Sequence, residues 1–194
     1  YKELNTHVVW KDQIIQRNFH GVRDYNNSHF VNFIRNVSDH DDGRFEAFKS
    51  ALGYLMHHDS SPSKGQAVLF YDQEITNIRF PQGGTGKGLI AQALGQIRKV
   101  TKIDGKHYKP EDRFKFQRVE LSTQIVWIDD PKSNFDFTDL FSCLTDGLTI
   151  EKKHKQSVMF PPDKSPKFLI PSNAILENQG SSNKRRQYIL ELSD

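Results

Sequence analysis

From Phe80 to Leu94 the chain reads FPQGGTGKGLIAQAL, with Gly83, Gly84, Gly86 and Gly88 crowded around Thr85 and Lys87 ahead of an amphipathic apolar run. Glycine at that density weakens any regular element, so the stretch serves something that needs bare backbone. A bound phosphate is such a need. Its oxygens are held by backbone N–H groups at a helix start, which a Gly-rich loop brings close enough, and by a lysine reaching the outer phosphates. The strict pattern G-x-x-x-x-G-K-[ST] is broken twice, because Pro81 stands at the first glycine and Gly88 at the hydroxyl that ligates magnesium. Without a phosphate, the same residues would make a flexible turn between strand and helix.

The flanking segments alternate between strand and helix patterns. AVLFY (67–71) is a continuous apolar run suited to a buried parallel strand, and ITNIRF (75–80) is a second candidate just before the glycines. LIAQALGQI (89–97) follows as a helix, KVTKI and FQRVEL as strands, and TQIVWIDD (123–130) as a buried strand ending in two acids. FTDLFSCL (137–144) is expected to be helical, LTIEKKHKQSVMF (148–160) a hairpin, and KFLIPSN (167–173) and RQYILEL (186–192) further strands. This alternation predicts an α/β domain with a mainly parallel sheet. Ahead of it, HVVWKDQIIQRNF and SHFVNFIRNV predict short helices, the second capped by Ser28. Phe45, Phe48, Leu52, Leu55 and Met56 then fall on one helical face after the acidic cluster DHDDG. Residues 59–65, rich in serine and containing Pro62 and Gly65, end this helical part as a linker or sharp turn.

With 194 residues and 36% hydrophobic content the chain can bury a real core. Its longest apolar runs are of strand length, which gives no membrane span. It begins at Tyr1 without a methionine and reads as an excerpt of something longer, with no secretory or transit signal at its start. The single cysteine, Cys143, provides no disulfide framework and fits a reducing cytoplasm. Net charge is +3, and all of the excess lies in residues 147–194, which carry 8 basic and 5 acidic residues. That bias favours a nucleic-acid partner only weakly, since a mildly basic face is ordinarily just solvated.

Phosphoryl transfer through a phosphate loop needs a carboxylate at the end of a neighbouring buried strand to hold Mg²⁺, and a second polar group to orient or deprotonate water. QIVWIDD supplies both, with Asp129 on the metal side and Asp130 as base. Further on, Lys152, Lys153, His154 and Lys155 sit between strand-like residues, so a hairpin would present cations at its tip. Lysines on such a loop grip phosphates as mobile point charges, independent of sequence. Asn173 follows the apolar run FLI, where a polar side chain could sense a γ-phosphate or fix the attacking water. In SSNKRRQYILEL, Arg185 and Arg186 precede a strand, and an arginine offered to a neighbour's nucleotide accelerates hydrolysis by roughly 10³ to 10⁵. Taken singly, each of these could be an ordinary turn or surface charge.

The order of the parts resembles the superfamily 3 helicases, the AAA+ replication motors of small DNA viruses, phages and plasmids. DGLTIEKKHKQSVMFPP is similar to the DNA-binding hairpin of the polyomavirus large T antigen and the papillomavirus replicative helicase. GYLMHH, GGTGKG, QIVWIDD and SNKRR resemble still more closely the helicase part of phage and mobile-element primase-helicases of bacteria. The likeness covers roughly residues 45 to 194. It implies a small N-terminal helical subdomain (1–60) before a P-loop core (61–194), with ATP and Mg²⁺ as cofactors. Lys87 would contact the β- and γ-phosphates, with Gly83, Gly84, Thr85, Gly86 and Gly88 around them. Asp129 and Asp130 would be the Walker B pair, Asn173 the sensor, and Arg185, rather than Arg186, the finger reaching the adjacent subunit. Lys153 and His154, flanked by Lys152 and Lys155, would hold single-stranded DNA in the channel of a homo-hexameric ring in the bacterial host cytoplasm, with a primase domain or protein as a further partner. Two features depart from the family: Gly88 lacks the hydroxyl ligand for Mg²⁺, and the chain stops soon after the finger strand. Other readings are an ATP-binding ring-assembly module with little turnover, favoured by Gly88, and an RNA-directed or loader-type NTPase.

Overall fold

A computed structural model of the chain describes residues 10–14, 28–57, 64–74, 84–176 and 180–193. The strand expected at 75–80 and Gly83 lie outside these residues. So does most of the first expected helix, of which one turn of 3-10 helix, Lys11–Gln13, is described.

Five strands form one wholly parallel sheet: β1 (Ala67–Asp72), β2 (Val100–Asp104), β3 (Ile125–Asp129), β6 (Lys167–Pro171) and β7 (Gln187–Leu192). Their order across the sheet is β2-β3-β6-β1-β7. The chain leaves interior β1 for the far edge at β2, returns through β3 and β6, and places β7 on the other side of β1. Residues alternate between the faces of a strand, so a strand covered on both sides must be apolar throughout. AVLFY obeys this rule: Ala67, Leu69 and Tyr71 enter one core, Val68 and Phe70 the other.

Helices α1 (His29–Val37), α2 (Asp42–Met56) and α3 (Lys87–Leu94) cover the face that carries Val68, Phe70, Ile125 and Leu169. Ser28 caps α1 as expected, its Oγ accepting from the Val31 N–H at 3.2 Å, and Asp41 caps α2 through the Arg44 N–H at 2.7 Å. α2 buries Phe45, Phe48, Ala51 and Leu55. Met56, placed by the sequence on that face, is instead 44% exposed at the last turn, and Leu52 is half-buried.

The opposite face is covered by irregular chain and short helices. Phe137–Leu140 forms a 3-10 turn that runs into α4 (Phe141–Thr145), so the helix expected at 137–144 is present in two parts. β4 (Leu148–Ile150) and β5 (Val158–Phe160) form the expected antiparallel hairpin, with Leu148 opposite Phe160 and Ile150 opposite Val158. FQRVEL is not a strand. Strand alternation would put Phe116 and Val119 on opposite faces, whereas successive turns, with the Gln117 N–H on the Phe114 carbonyl and the Val119 N–H on the Phe116 carbonyl at 2.9 Å each, bring both into one core. Ser181–Arg186 is a helix, α5, where the sequence pattern predicts no regular element.

Among the described residues no helix is long and apolar enough to cross a membrane. Phe48→Ala is expected to cost ~3–5 kcal/mol, because the ring is fully buried between α2 and the sheet. Met56→Ala should stay within about 0.5 kcal/mol of the parent. Chemical denaturation of the two variants beside the parent chain checks both values.

Candidate nucleotide-binding site

In a parallel sheet every strand delivers its C-terminal end to the same edge, which is where open α/β folds place ligands. Here β1 leads toward the glycine loop, β3 ends in Asp129 and Asp130, and β6 ends just before Ser172 and Asn173. Gly84, Thr85, Gly86, Lys87, Gly88, Asp129, Asp130, Pro171 and Asn173 line a single cavity of ≈ 290 Å³ at this edge. The residues that the sequence assigns separately to phosphate, metal and sensor are therefore neighbours.

Lys87 is the first residue of α3, so the loop enters the helix at its N-terminal end, where N–H groups lack intrahelical partners and the helix dipole favours an anion. Gly86 caps this helix with φ 97°, a conformation that side chains rarely adopt, and an added Cβ would come within 2.5 Å of the Phe33 ring on α1. The N-terminal helical layer thus packs directly on the loop. At Gly88, by contrast, a Cβ would meet nothing within 4 Å.

The acids are tied to lysines that the sequence did not single out. Lys102 on β2 pairs with Asp129 at 2.6 Å and lies over the Trp127 ring at 4.3 Å. Lys106, in the turn after β2, pairs with Asp130 at 2.9 Å, and this carboxylate holds Lys106 above the usual lysine range. Register creates these pairs: Lys102 lies opposite Trp127, and Asp104 opposite Asp129. Gly105 permits the approach, because a Cβ there would stand 2.5 Å from the Asp129 carbonyl oxygen and 2.6 Å from the Pro131 nitrogen. Spacing along the chain carried no signal for these lysines, since it does not reveal which strands are neighbours.

Asp130 has a left-handed backbone, φ 48°, and its N–H donates to the Pro171 carbonyl at 3.0 Å. Asn173 Nδ2 donates to Asp130 Oδ1 at 2.9 Å, while Asn173 Oδ1 is buried without a hydrogen-bond partner among the described residues. A half-buried carboxylate held by an amide, beside an amide oxygen with nothing to accept from, can order a water or hydroxyl.

The described residues contain no group of three or more His, Cys, Asp or Glu side chains placed to hold a metal. Magnesium bound with phosphates needs only one or two carboxylates, with phosphate oxygens and waters completing its octahedron. Asp129 and Asp130 fit that requirement. Gly88 withholds the side-chain oxygen that usually joins them.

The other assigned residues lie outside this cavity. Lys153 and His154 are exposed at the hairpin tip, with His154 at φ 57°, and Lys152 and Lys155 line a separate cleft with Arg113, Glu151 and Ser157. Arg113 Nε donates to Glu151 at 2.6 Å, which ties the base of the tip to the segment before β3. On α5, Arg185 is exposed, whereas the Arg186 guanidinium lies over the Phe141 ring at 4.4 Å and donates to the Ser182 carbonyl at 3.2 Å.

No family model matches the chain, and no curated protein matches it. Solved structures do. The C-terminal region of NrS-1, in two apo structures, is 21% identical with TM-scores of 0.59 and 0.62, covering 86% of this chain and 37% or 38% of that one. A JCV helicase bound to a thiazolopyridine compound is 13% identical, with a TM-score of 0.52, 86% of this chain covered and 46% of that one. The chain thus spans less than half the length of each. At these identities the likeness establishes the fold: an α/β, P-loop-NTPase-like core shared with a helicase.

Gly86→Ala is expected to cost ~1–3 kcal/mol, from the positive φ and the Phe33 contact together. Combining it with Phe33→Ala removes only the second cause. The double variant should therefore show less additional loss than the sum of the two single variants in thermal unfolding.

Proposed function

We propose that the chain is the motor domain of a superfamily 3 DNA helicase from a phage or mobile-element replication protein, hydrolysing ATP at subunit interfaces of a ring to move along single-stranded DNA. The observation that carries this reading is the convergence of Lys87, Asp129, Asp130 and Asn173 on one cavity at the C-terminal edge of the sheet. Five separate stretches of sequence fit the parts of one machine, and the fold brings the nucleotide-handling ones together.

When bound, Mg²⁺ would neutralise phosphate charge and polarise the bond to be broken. Asp129 would hold it on the protein side. The glycine loop and the α3 N-terminus would cradle the phosphates, with the Lys87 ammonium on the β- and γ-oxygens. Asp130 would accept the proton of the attacking water, and the Asn173 amide would keep that carboxylate oriented. Lys102 and Lys106 balance the two acids in the free chain and would yield to the incoming cation. Arg185, exposed where Arg186 is stacked within its own chain, would reach the neighbouring subunit's nucleotide. Lys153 and His154 at the exposed tip would grip the DNA backbone, a contact that accepts any sequence. A homo-hexamer and a primase partner belong to the same proposal.

One observation favours a second reading. The absent hydroxyl at Gly88 suits a module in which ATP holds a ring together with little turnover. ATP hydrolysis by the purified chain, with and without single-stranded DNA or RNA and with its mass in solution recorded, separates the readings. The motor reading expects DNA-stimulated turnover that falls at least ~10²-fold in Lys87→Ala and loses its stimulation in Lys153→Ala. ATP binding without turnover in assembled rings would support the module, and stronger stimulation by RNA would redirect the reading to an RNA motor. Gly88→Ser, which the open space admits, should lower the Mg²⁺ concentration needed for half-maximal turnover.

A further inference from the structure

The Lys87 ammonium does not stand free in the cavity. It is in direct contact with Asp72 Oδ1, with both side chains only 7% exposed, and the Thr85 hydroxyl donates to the same carboxylate oxygen. Lys87 and Thr85 line the cavity, but Asp72 does not. The carboxylate lies behind the lysine, at the end of β1. Its place is fixed by the sheet, where Asp72 is paired with Leu192 and the next residue, Gln73, donates its N–H to the Leu192 carbonyl at 2.8 Å.

A buried lysine needs a counter-charge, and in the free chain Asp72 supplies it. An incoming phosphate offers the same ammonium a second anion. Lys87 Nζ also lies 3.4 Å from Thr85 Oγ1, so the ammonium, the hydroxyl and the carboxylate form one cluster beside the cavity that Lys87 and Thr85 line. Asp72 would then keep the Thr85 hydroxyl as a hydrogen-bond donor, and the displaced carboxylate would not be left bare.

We propose that Asp72 competes with the phosphates of the nucleotide for Lys87 and thereby sets the affinity of the site, acting as an internal anion that a polyphosphate must displace. This rests on the nucleotide-binding reading of the cavity. Competition of this kind lowers apparent affinity by the fraction of chains in which the lysine is available, so a lysine paired nine-tenths of the time weakens binding about tenfold. It also discriminates against weakly charged ligands, which cannot match the carboxylate they replace.

Calorimetric titration with ADP of the parent chain, Asp72→Asn, Lys87→Met and the double variant tests this, alongside the ADP-induced rise in Tm. Asp72→Asn is expected to bind ADP about tenfold more tightly than the parent and to show the larger rise in Tm. Lys87→Met and the double variant should both bind more weakly than the parent, because the gain from removing Asp72 needs the lysine. Unchanged or weaker binding by Asp72→Asn overturns the proposal, as does a double variant that binds as tightly as Asp72→Asn. If Asp72→Asn has no native transition alone, its recovery by ADP supports the competition, and a chain that stays unfolded in saturating ADP refutes it. A folded parent chain that binds no ADP overturns both this proposal and the nucleotide-binding reading. Parent binding that weakens in Lys87→Met while Asp72→Asn leaves it unchanged sinks this one alone.

Discussion

Burial of β1 on both faces is the constraint from which the rest of the structure follows. Every residue from Ala67 to Asp72 is buried, and each large apolar side chain so placed contributes about 1.5–3 kcal/mol relative to exposure. A strand of this kind cannot lie at an edge or face water. It takes β6 on one side and β7 on the other, both parallel, which sends the C-terminal ends of these three strands to one edge. The helical layer of α1, α2 and α3 and the layer holding the hairpin cover the two faces that this arrangement creates.

The shared edge concentrates charge. Three acids and three lysines meet there as Asp72 with Lys87, Asp129 with Lys102, and Asp130 with Lys106. The pairs differ in kind. The Lys102 and Lys106 side chains are more than half exposed, so water screens those contacts and an arriving cation can replace them at small cost. The Asp72–Lys87 pair is desolvated, and breaking such a pair without a substitute costs ~3–5 kcal/mol. Any anion that reaches Lys87 must therefore act as that substitute.

Local patterns were legible wherever chemistry and periodicity are written in consecutive residues. Ser28 as a cap, the apolar runs of β1, β3 and β6, and the hairpin around Lys152–Lys155 are local features, and the fold contains them. Periodicity misleads where a few apolar residues fit two periods. Phe116 and Val119 belong to successive turns, although Val119 and Leu121 alternate as in a short strand, and Met56 is exposed at the last residue of α2. α5 carries no such signal, because SSNKRR has no apolar periodicity.

By itself, the sequence determined the chemical inventory: bare backbone beside a lysine, two acids after a buried strand, cations on a hairpin tip, and an α/β alternation that must bury a parallel sheet. Only the tertiary structure decided which of these groups meet. Strand order and register brought Asn173 onto Asp130 across 43 positions of chain, and placed Lys102 and Lys106 on the two acids. They also set Asp72 behind Lys87. Side-chain pairing depends on which strands are neighbours and how they are aligned, and that follows from packing the whole core, which spacing along the chain does not record.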